Sequence, residues 1–248
     1  MNTERHNYDL QFMNYADRSS RHSAQTISRL LRKTLTIDSA LDIGCARGTW
    51  LSAWQDAGVG EILGVDGDYV DASNLAISRE RFVTADLALH LDLQRKFDLV
   101  QSLEVAEHIP EASADEFVGN LVRHSKGIIL FSAAPPGQGG EFHVNEQPYE
   151  YWRRKFQMFG YEPYDYVRPL INIDTAISFW YRYNVILYAH TDRFSSLPEG
   201  VRAARIPPQT GIPDVTPRWF RLRKRLTRLL PFTISQQLAR AMARWRGR

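Results

Sequence analysis

The chain has 248 residues, of which 44% are hydrophobic, 24% charged and 12% aromatic, a make-up that fits one folded domain with a modest appendage and excludes collagen-like, coiled-coil and wholly disordered chains. No run approaches the roughly 18 consecutive apolar residues of a membrane span, the opening MNTERHNYDLQFMNYADRSSRH lacks the apolar stretch of a secretion signal, and the single cysteine, Cys45, fits a reducing cytoplasm. The net charge of +3 is unevenly spread: all 28 Asp and Glu lie before Val215 and ten of the 31 Lys and Arg lie after it, so an acidic body carries a basic end.

In chain order, residues 1–38 read as a helical segment able to act as a lid. From about Ser39 to Lys126, short apolar runs alternate with helical patterns, the signature of a parallel sheet flanked by helices. The predicted strands are ALDIG (40–44), EILGVD (61–66), RFVTAD (81–86), FDLVQSL (97–103) and GIILFSA (127–133). TWLSAWQDAG (49–58) and ASADEFVGNLVRHS (112–125) carry apolar residues at helical spacing. EPYDYVRPL and RYNVILYAH read as two further strands, the last an antiparallel partner at the edge. The expected fold is therefore α/β, a doubly wound, mostly parallel seven-stranded sheet over residues 39–192. A proline-rich linker (193–217) and a basic amphipathic tail (218–248) follow. In the tail, Trp219, Leu222, Leu226 and Leu229 share one helical face, and Ile234, Leu238, Ala241 or Met242, and Trp245 repeat the spacing. That pattern fits either an anionic membrane surface or packing on the protein's own body with solvated arginines.

LDIGCARGTW places an acid at a strand end, then a turn of small residues, then a helix start. Glycine tolerates positive φ and close backbone approach, so Gly44 and Gly48 let a ligand lie against the main chain at a helix N-terminus. The spacing does not fit the dinucleotide pattern GxGxxG. It resembles motif I of the class I S-adenosylmethionine-dependent methyltransferases, [DE]xGxGxG. Asp66 stands 24 residues after Asp42, at the end of the next strand, and Asp86 ends the third. FDLVQSLEVAEHIP resembles the family's fourth motif.

The resemblance implies S-adenosylmethionine as cofactor. Asp42 would hold its ammonium indirectly, Gly44 would meet its methionine part, Asp66 would receive the ribose diol, and Asp86 with the Leu87 amide would read adenine. Cys45, Ala46, Gly48, Gly67 and Leu103 complete the implied cofactor contacts. Ala46 replaces the middle glycine, Arg47 is expected to be a solvated loop cation, and Cys45 a packing residue with no base beside it.

Glu104, Glu107 and His108 stand at i, i+3 and i+4, which places them on one face if they form a single helical turn. Packed carboxylates raise one another's pKa unless a cation sits between them, and oxygen and imidazole ligands suit Mg²⁺ or Mn²⁺. His143 offers a second imidazole. Glu104, Glu107, His108 and His143 resemble the metal site of small-RNA 2′-O-methyltransferases, and EVAEH also resembles ubiquinone-pathway O-methyltransferases. A metal-free reading, with His108 or His143 as general base and a carboxylate fixing its tautomer, stays open, as does a structural role.

After the fifth strand, Asn145, Glu146 and Gln147 could hydrogen-bond a polyol. Trp152, Phe156 and Phe159 have helical spacing and are expected in the core, while Trp180 and Arg182 are acceptor-contact candidates. The run through APPGQGGEFHVNEQPYEYW looks like bacterial methyltransferases of surface polysaccharide and glycan assembly. The expected function is O-methylation of a sugar or glycan, with the enzyme cytoplasmic or peripheral at the inner membrane face. RNA ribose or quinone and natural-product methylation, or a membrane-attached scaffold, are the alternatives; the acidic body argues against nucleic acid.

Overall fold

The computed structural model describes residues 10–228. Seven strands form one sheet: β1 (Ser39–Ile43), β2 (Glu61–Asp66), β3 (Phe82–Thr84), β4 (Leu99–Leu103), β5 (Ile128–Ser132), β6 (Tyr161–Tyr164) and β7 (Ile186–His190). Among the described residues, eight α-helices surround it: α1 (Leu10–Thr34), α2 (Thr49–Asp56), α3 (Ala114–Arg123), α4 (Tyr149–Gln157), α5 (Arg168–Ile171), α6 (Phe179–Asn184), α7 (Glu199–Ala203) and α8 (Arg218–Thr227). The strand order is β3-β2-β1-β4-β5-β7-β6. The first five strands in sequence pair in parallel, and β7 runs antiparallel to both β5 and β6.

This is the expected doubly wound sheet. The antiparallel strand lies one place in from the edge, with β6 outside it. EPYDYVRPL forms strand only as far as Tyr164, because the chain turns at Asp165 and enters α5 with Pro169 in its first turn, where a missing N–H costs nothing.

β1, β4 and β5 are buried along their whole length, which is why they read as unbroken apolar runs rather than alternating ones. One sheet face packs against α1 and α2 through Ile27, Leu31 and Trp54, and the Trp54 indole donates to Gln101 Oε1 (2.7 Å). The other face packs Phe117, Trp152 and Phe156, with Phe156 stacked on Tyr188 at 4.2 Å between ring centroids. Phe159, expected beside them, is 40% exposed because α4 has ended before it.

β1 sends its chain toward β2 and β4 sends its chain toward β5, so a crevice opens between the carboxyl ends of β1 and β4. The proline-rich 193–217 segment is packed against the body. Ile206 and Ile212 enter the core, and the buried Arg153 guanidinium donates to the carbonyls of Ile206 (3.1 Å), Pro207 (2.7 Å) and Thr210 (2.6 Å). Of the tail, α8 is described; the Leu229 position and the Ile234 to Trp245 pattern lie outside the described residues, as do residues 1–9. Among the described residues no helix is long and apolar enough to cross a membrane.

Candidate active site

The turn after β1 is left-handed at Gly44 (φ 90°), Ala46 (φ 47°) and Gly48 (φ 83°). At Gly44 a methyl group would sit 2.4 Å from Val105 Cγ2, so glycine is needed for both conformation and clearance. Ala46 adopts the strained conformation that a family glycine would take freely, and its N–H donates to Asp66 Oδ2 at 2.6 Å. Asp66 Oδ1 accepts from Gly67 N–H (2.7 Å) and from the Tyr69 hydroxyl. Burial raises the pKa of Asp66, and these hydrogen bonds oppose the shift.

Asp42 is buried beside Gln101. Burial pushes its pKa up to about 7, with the Gln101 amide opposing and the Asp66 charge adding. Cys45 is buried with its thiol pushed up, by burial and then by the two aspartates, which makes it a packing residue and no nucleophile.

Arg47 corrects the expectation of a solvated cation. It is buried and donates to Asn14 Oδ1 (2.7 Å) and Asp17 Oδ2 (3.1 Å) on α1. Thr49 Oγ1 donates to Asp17 Oδ1 (2.7 Å), so one carboxylate anchors the start of α1 to the turn after β1. Asp86 is exposed at the end of β3 and caps Ala88 N–H (2.9 Å), while Leu87 beside it is buried, as is Leu103 at the end of β4.

Beyond β4 the chain makes a left-handed step at Glu104 (φ 56°) and then a 3-10 turn over Ala106–His108. That step separates Glu104 from the other three expected metal ligands. Its oxygens accept from Asn184 Nδ2 (3.1 Å) and Gln138 Nε2 (2.8 Å), and Asn184 also donates to Gln138 Oε1 (2.8 Å). Burial raises the Glu104 pKa and these amides oppose it.

Glu107, His108 and His143 do converge, each offering a ligand atom within 4.8 Å of the others. The two imidazole rings lie edge to face at 4.9 Å. The Glu107 carboxyl is 1% exposed, and neither oxygen has a hydrogen bond of ordinary geometry; its pKa is driven far up, by burial first and by Glu104 second. An acid so placed is costly to ionise unless something cationic meets it.

Each imidazole is fixed from behind. His143 Nδ1–H donates to Glu146 Oε1 (2.8 Å) and His108 Nδ1–H to the Phe142 carbonyl (3.3 Å), so in the neutral rings Nε2 carries the lone pair. Glu146 in turn accepts from Gly137 N–H (2.7 Å) and Gly139 N–H (2.8 Å), and the Glu107 carbonyl accepts from Val144 and Asn145 N–H (both 2.9 Å). At Gly140 an added methyl group would stand 2.0 Å from His143 Nε2.

The sequence reading missed Tyr69, Gln138, Asn184 and Gly140. It treated Glu146 as a polyol contact, whereas here both oxygens serve His143 and the loop. Asn145 is buried with Oδ1 accepting from Gln147 (2.9 Å), Trp180 packs against the core, and Arg182 bonds the Asp174 carbonyl (3.4 Å).

This geometry, a β1 glycine turn facing acids at the ends of β1 and β2, is that of a nucleoside-binding methyltransferase fold. The family model described as "Methyltransferase domain" matches residues 15–164, more than half of the chain. The chain belongs to that family and is an S-adenosylmethionine-dependent methyltransferase. No curated protein sequence matches it.

Similar solved structures include an amino pentose methyltransferase from Micromonospora echinaspora (16% identity, 77% of this chain and 100% of that one, TM-score 0.53). A magnesium protoporphyrin IX methyltransferase from Synechocystis PCC 6803 shares 17% identity over 75% of this chain and 89% of its own, with TM-score 0.50. The small-RNA methyltransferase HEN1 shares 15% over 69% of this chain, with TM-score 0.51, and this chain spans 25% of its length. At these identities the likeness is one of fold.

Proposed function

We propose that the enzyme is an O-methyltransferase whose acceptor is a hydroxyl of a sugar or glycan, with Glu107, His108 and His143 holding a divalent ion such as Mg²⁺ or Mn²⁺. The observation that carries this reading is the buried Glu107 carboxyl, without ordinary hydrogen bonds, facing two imidazoles whose Nδ1 atoms are already engaged. A carboxylate and imidazoles fit such an ion, and the Glu146–His143 bond is the outer support that metal-bound histidines ordinarily have. When bound, the ion would chelate two adjacent oxygens and lower the pKa of the attacking hydroxyl.

The protein's own groups do the rest. The β1 turn, with Gly44 to Gly48, would carry the methionine part of the cofactor. Asp42 would face its positive charge, Asp66 and Gly67 its ribose, and Asp86 and Leu87 its adenine. The Tyr69 hydroxyl holds an Asp66 oxygen that a ribose hydroxyl can share, since a carboxylate accepts about four hydrogen bonds. Methyl transfer is then an in-line displacement in which the O–CH₃ bond forms as the CH₃–S⁺ bond breaks, sulfur leaves as the neutral thioether, and the hydroxyl proton, made acidic by the ion, passes to solvent water.

A second reading uses the same residues without an ion. His143, tied through Nδ1 to Glu146, takes that proton at Nε2. The sugar acceptor is favoured over RNA by the acidic body, which counts 21 Lys and Arg against 28 Asp and Glu before Val215.

The test is incubation with labelled cofactor and a panel of glycans, with and without EDTA, read by mass spectrometry for one added methyl. A methylated glycan formed only without chelator supports the ion; a product insensitive to chelator assigns the proton to His143. Modification of RNA or quinones with no glycan product overturns the acceptor.

A further inference from the structure

Helix α8 has two faces with different tasks. On one, Phe220 is buried edge-on to Phe179 at 5.0 Å, and Lys224 is buried in an ion pair with Asp214 at 2.6 Å. On the other, Trp219, Leu222 and Leu226 stand at i, i+3 and i+7, and are 68%, 58% and 58% exposed. By helical geometry Arg218 and Arg225 flank this stripe on one side and Arg223 on the other. No Asp or Glu follows Asp214 in the sequence.

We propose that this face of α8 is a docking surface for an anionic phospholipid bilayer, with the indole and two leucines entering the headgroup boundary and the exposed Arg218 and Arg225 meeting lipid phosphates. Exposed aliphatic side chains contribute nothing to a phosphate backbone, which disfavours RNA as the occupant. A second copy of the same helix would set arginines against arginines.

The location adds a consequence. Arg228 Nε donates to the Pro136 carbonyl (2.9 Å) and Arg223 Nη2 to the Gln138 carbonyl (3.3 Å). At Gly137 a methyl group would lie 2.2 Å from the Lys224 carbonyl oxygen, so the loop and the helix touch backbone to backbone. This loop supplies the Gln138 amide that holds Glu104 and the Gly137 N–H that holds Glu146. The inner side of α8 is therefore joined to the loop that supports the candidate site, and the docking surface is the outer face of that same helix. The surface is inferred independently of the proposed chemistry, and its test needs no acceptor.

The experiment is co-sedimentation of the full chain with vesicles of phosphatidylcholine containing phosphatidylglycerol, and with phosphatidylcholine alone. The comparison protein is the triple variant Trp219→Ser, Leu222→Ser, Leu226→Ser. These side chains are exposed, so its melting temperature and cofactor affinity are expected to match the wild type. The expected result is binding to the anionic vesicles that falls with added salt, weak binding to phosphatidylcholine, and about tenfold weaker anionic binding by the variant. Wild-type protein left in the supernatant overturns the proposal. So does a triple variant that sediments like the wild type, or one whose only change is loss of a dimer or of RNA binding.

Discussion

The two halves of the crevice treat their buried acids in opposite ways. On the cofactor side, Asp66 is surrounded by donors from Ala46, Gly67 and Tyr69, and Asp42 rests beside an amide. On the side of the candidate cluster, Glu104 is equally well provided for, but the buried Glu107 carboxyl has no hydrogen bond of ordinary geometry and faces His143 Nε2 at 3.9 Å. Both halves are built with left-handed turns, at Gly44 to Gly48 and at Glu104 and Phe142. What differs is therefore not backbone strain but whether the charge has been satisfied by the fold. The half that the family's shared cofactor would occupy is completed internally; in the other half one buried acid is left without an ordinary hydrogen bond, and under the proposed function that is where an ion would bind.

The sharpest break in this contrast is Glu107→Gln, which keeps the shape and removes the charge. Methyl transfer is expected to fall about 1,000-fold, with partial recovery in excess Mn²⁺ and unchanged cofactor affinity by calorimetry. Gly140→Ala comes next. With no ligand altered, the new methyl displaces His143, and turnover is expected to drop about 100-fold while the far-ultraviolet spectrum is unchanged. Glu146→Gln, which weakens the support behind His143, is expected to cost about 10- to 100-fold, as a shift in the metal concentration needed for half-maximal rate.

On the cofactor side the effects are smaller and follow pH. Asp42 has a folded pKa of about 7, well above that of an unfolded aspartate, so the unliganded fold holds the extra proton. Its stability contribution is complete below the ordinary carboxylate range and is lost as pH rises through about 7. A cationic cofactor prefers the ionised acid, so its affinity is expected to rise as pH rises to about 7, with proton release on binding, measured by calorimetry in two buffers. Asp42→Asn is expected to flatten that profile and to raise the melting temperature of the unliganded protein above pH 7. Tyr69→Phe should be the mildest change, a few-fold at most in cofactor affinity, since the two N–H donors to Asp66 remain.

Much of the sheet was legible because buried parallel strands write themselves as contiguous apolar runs, and because the β1 turn needs glycines. The convergence of Glu107, His108 and His143 was legible, since the first two are adjacent in sequence and the third follows in a glycine-rich loop. It was not legible in its supports. Whether Glu104 joins Glu107 depends on a single φ of 56°, which no spacing rule predicts for a glutamate. Arg47 was misjudged because its partners, Asn14 and Asp17, lie a helix away, and local sequence is silent about which distant carboxylate will receive a cation. Asn184 and Gln138 are 46 positions apart and meet only once α6 and the loop before α4 have docked.

The Arg153 guanidinium bears on where this protein can be shortened. Prolines 207 and 208 bring no N–H of their own, and the carbonyls around them are gathered by that one buried cation. Trimming the chain at residue 192 would strip it of all three oxygens and uncover the apolar pocket that Ile206 and Ile212 fill. The smallest autonomous catalytic fragment should accordingly end no earlier than Pro213, whose own carbonyl is claimed by Arg168.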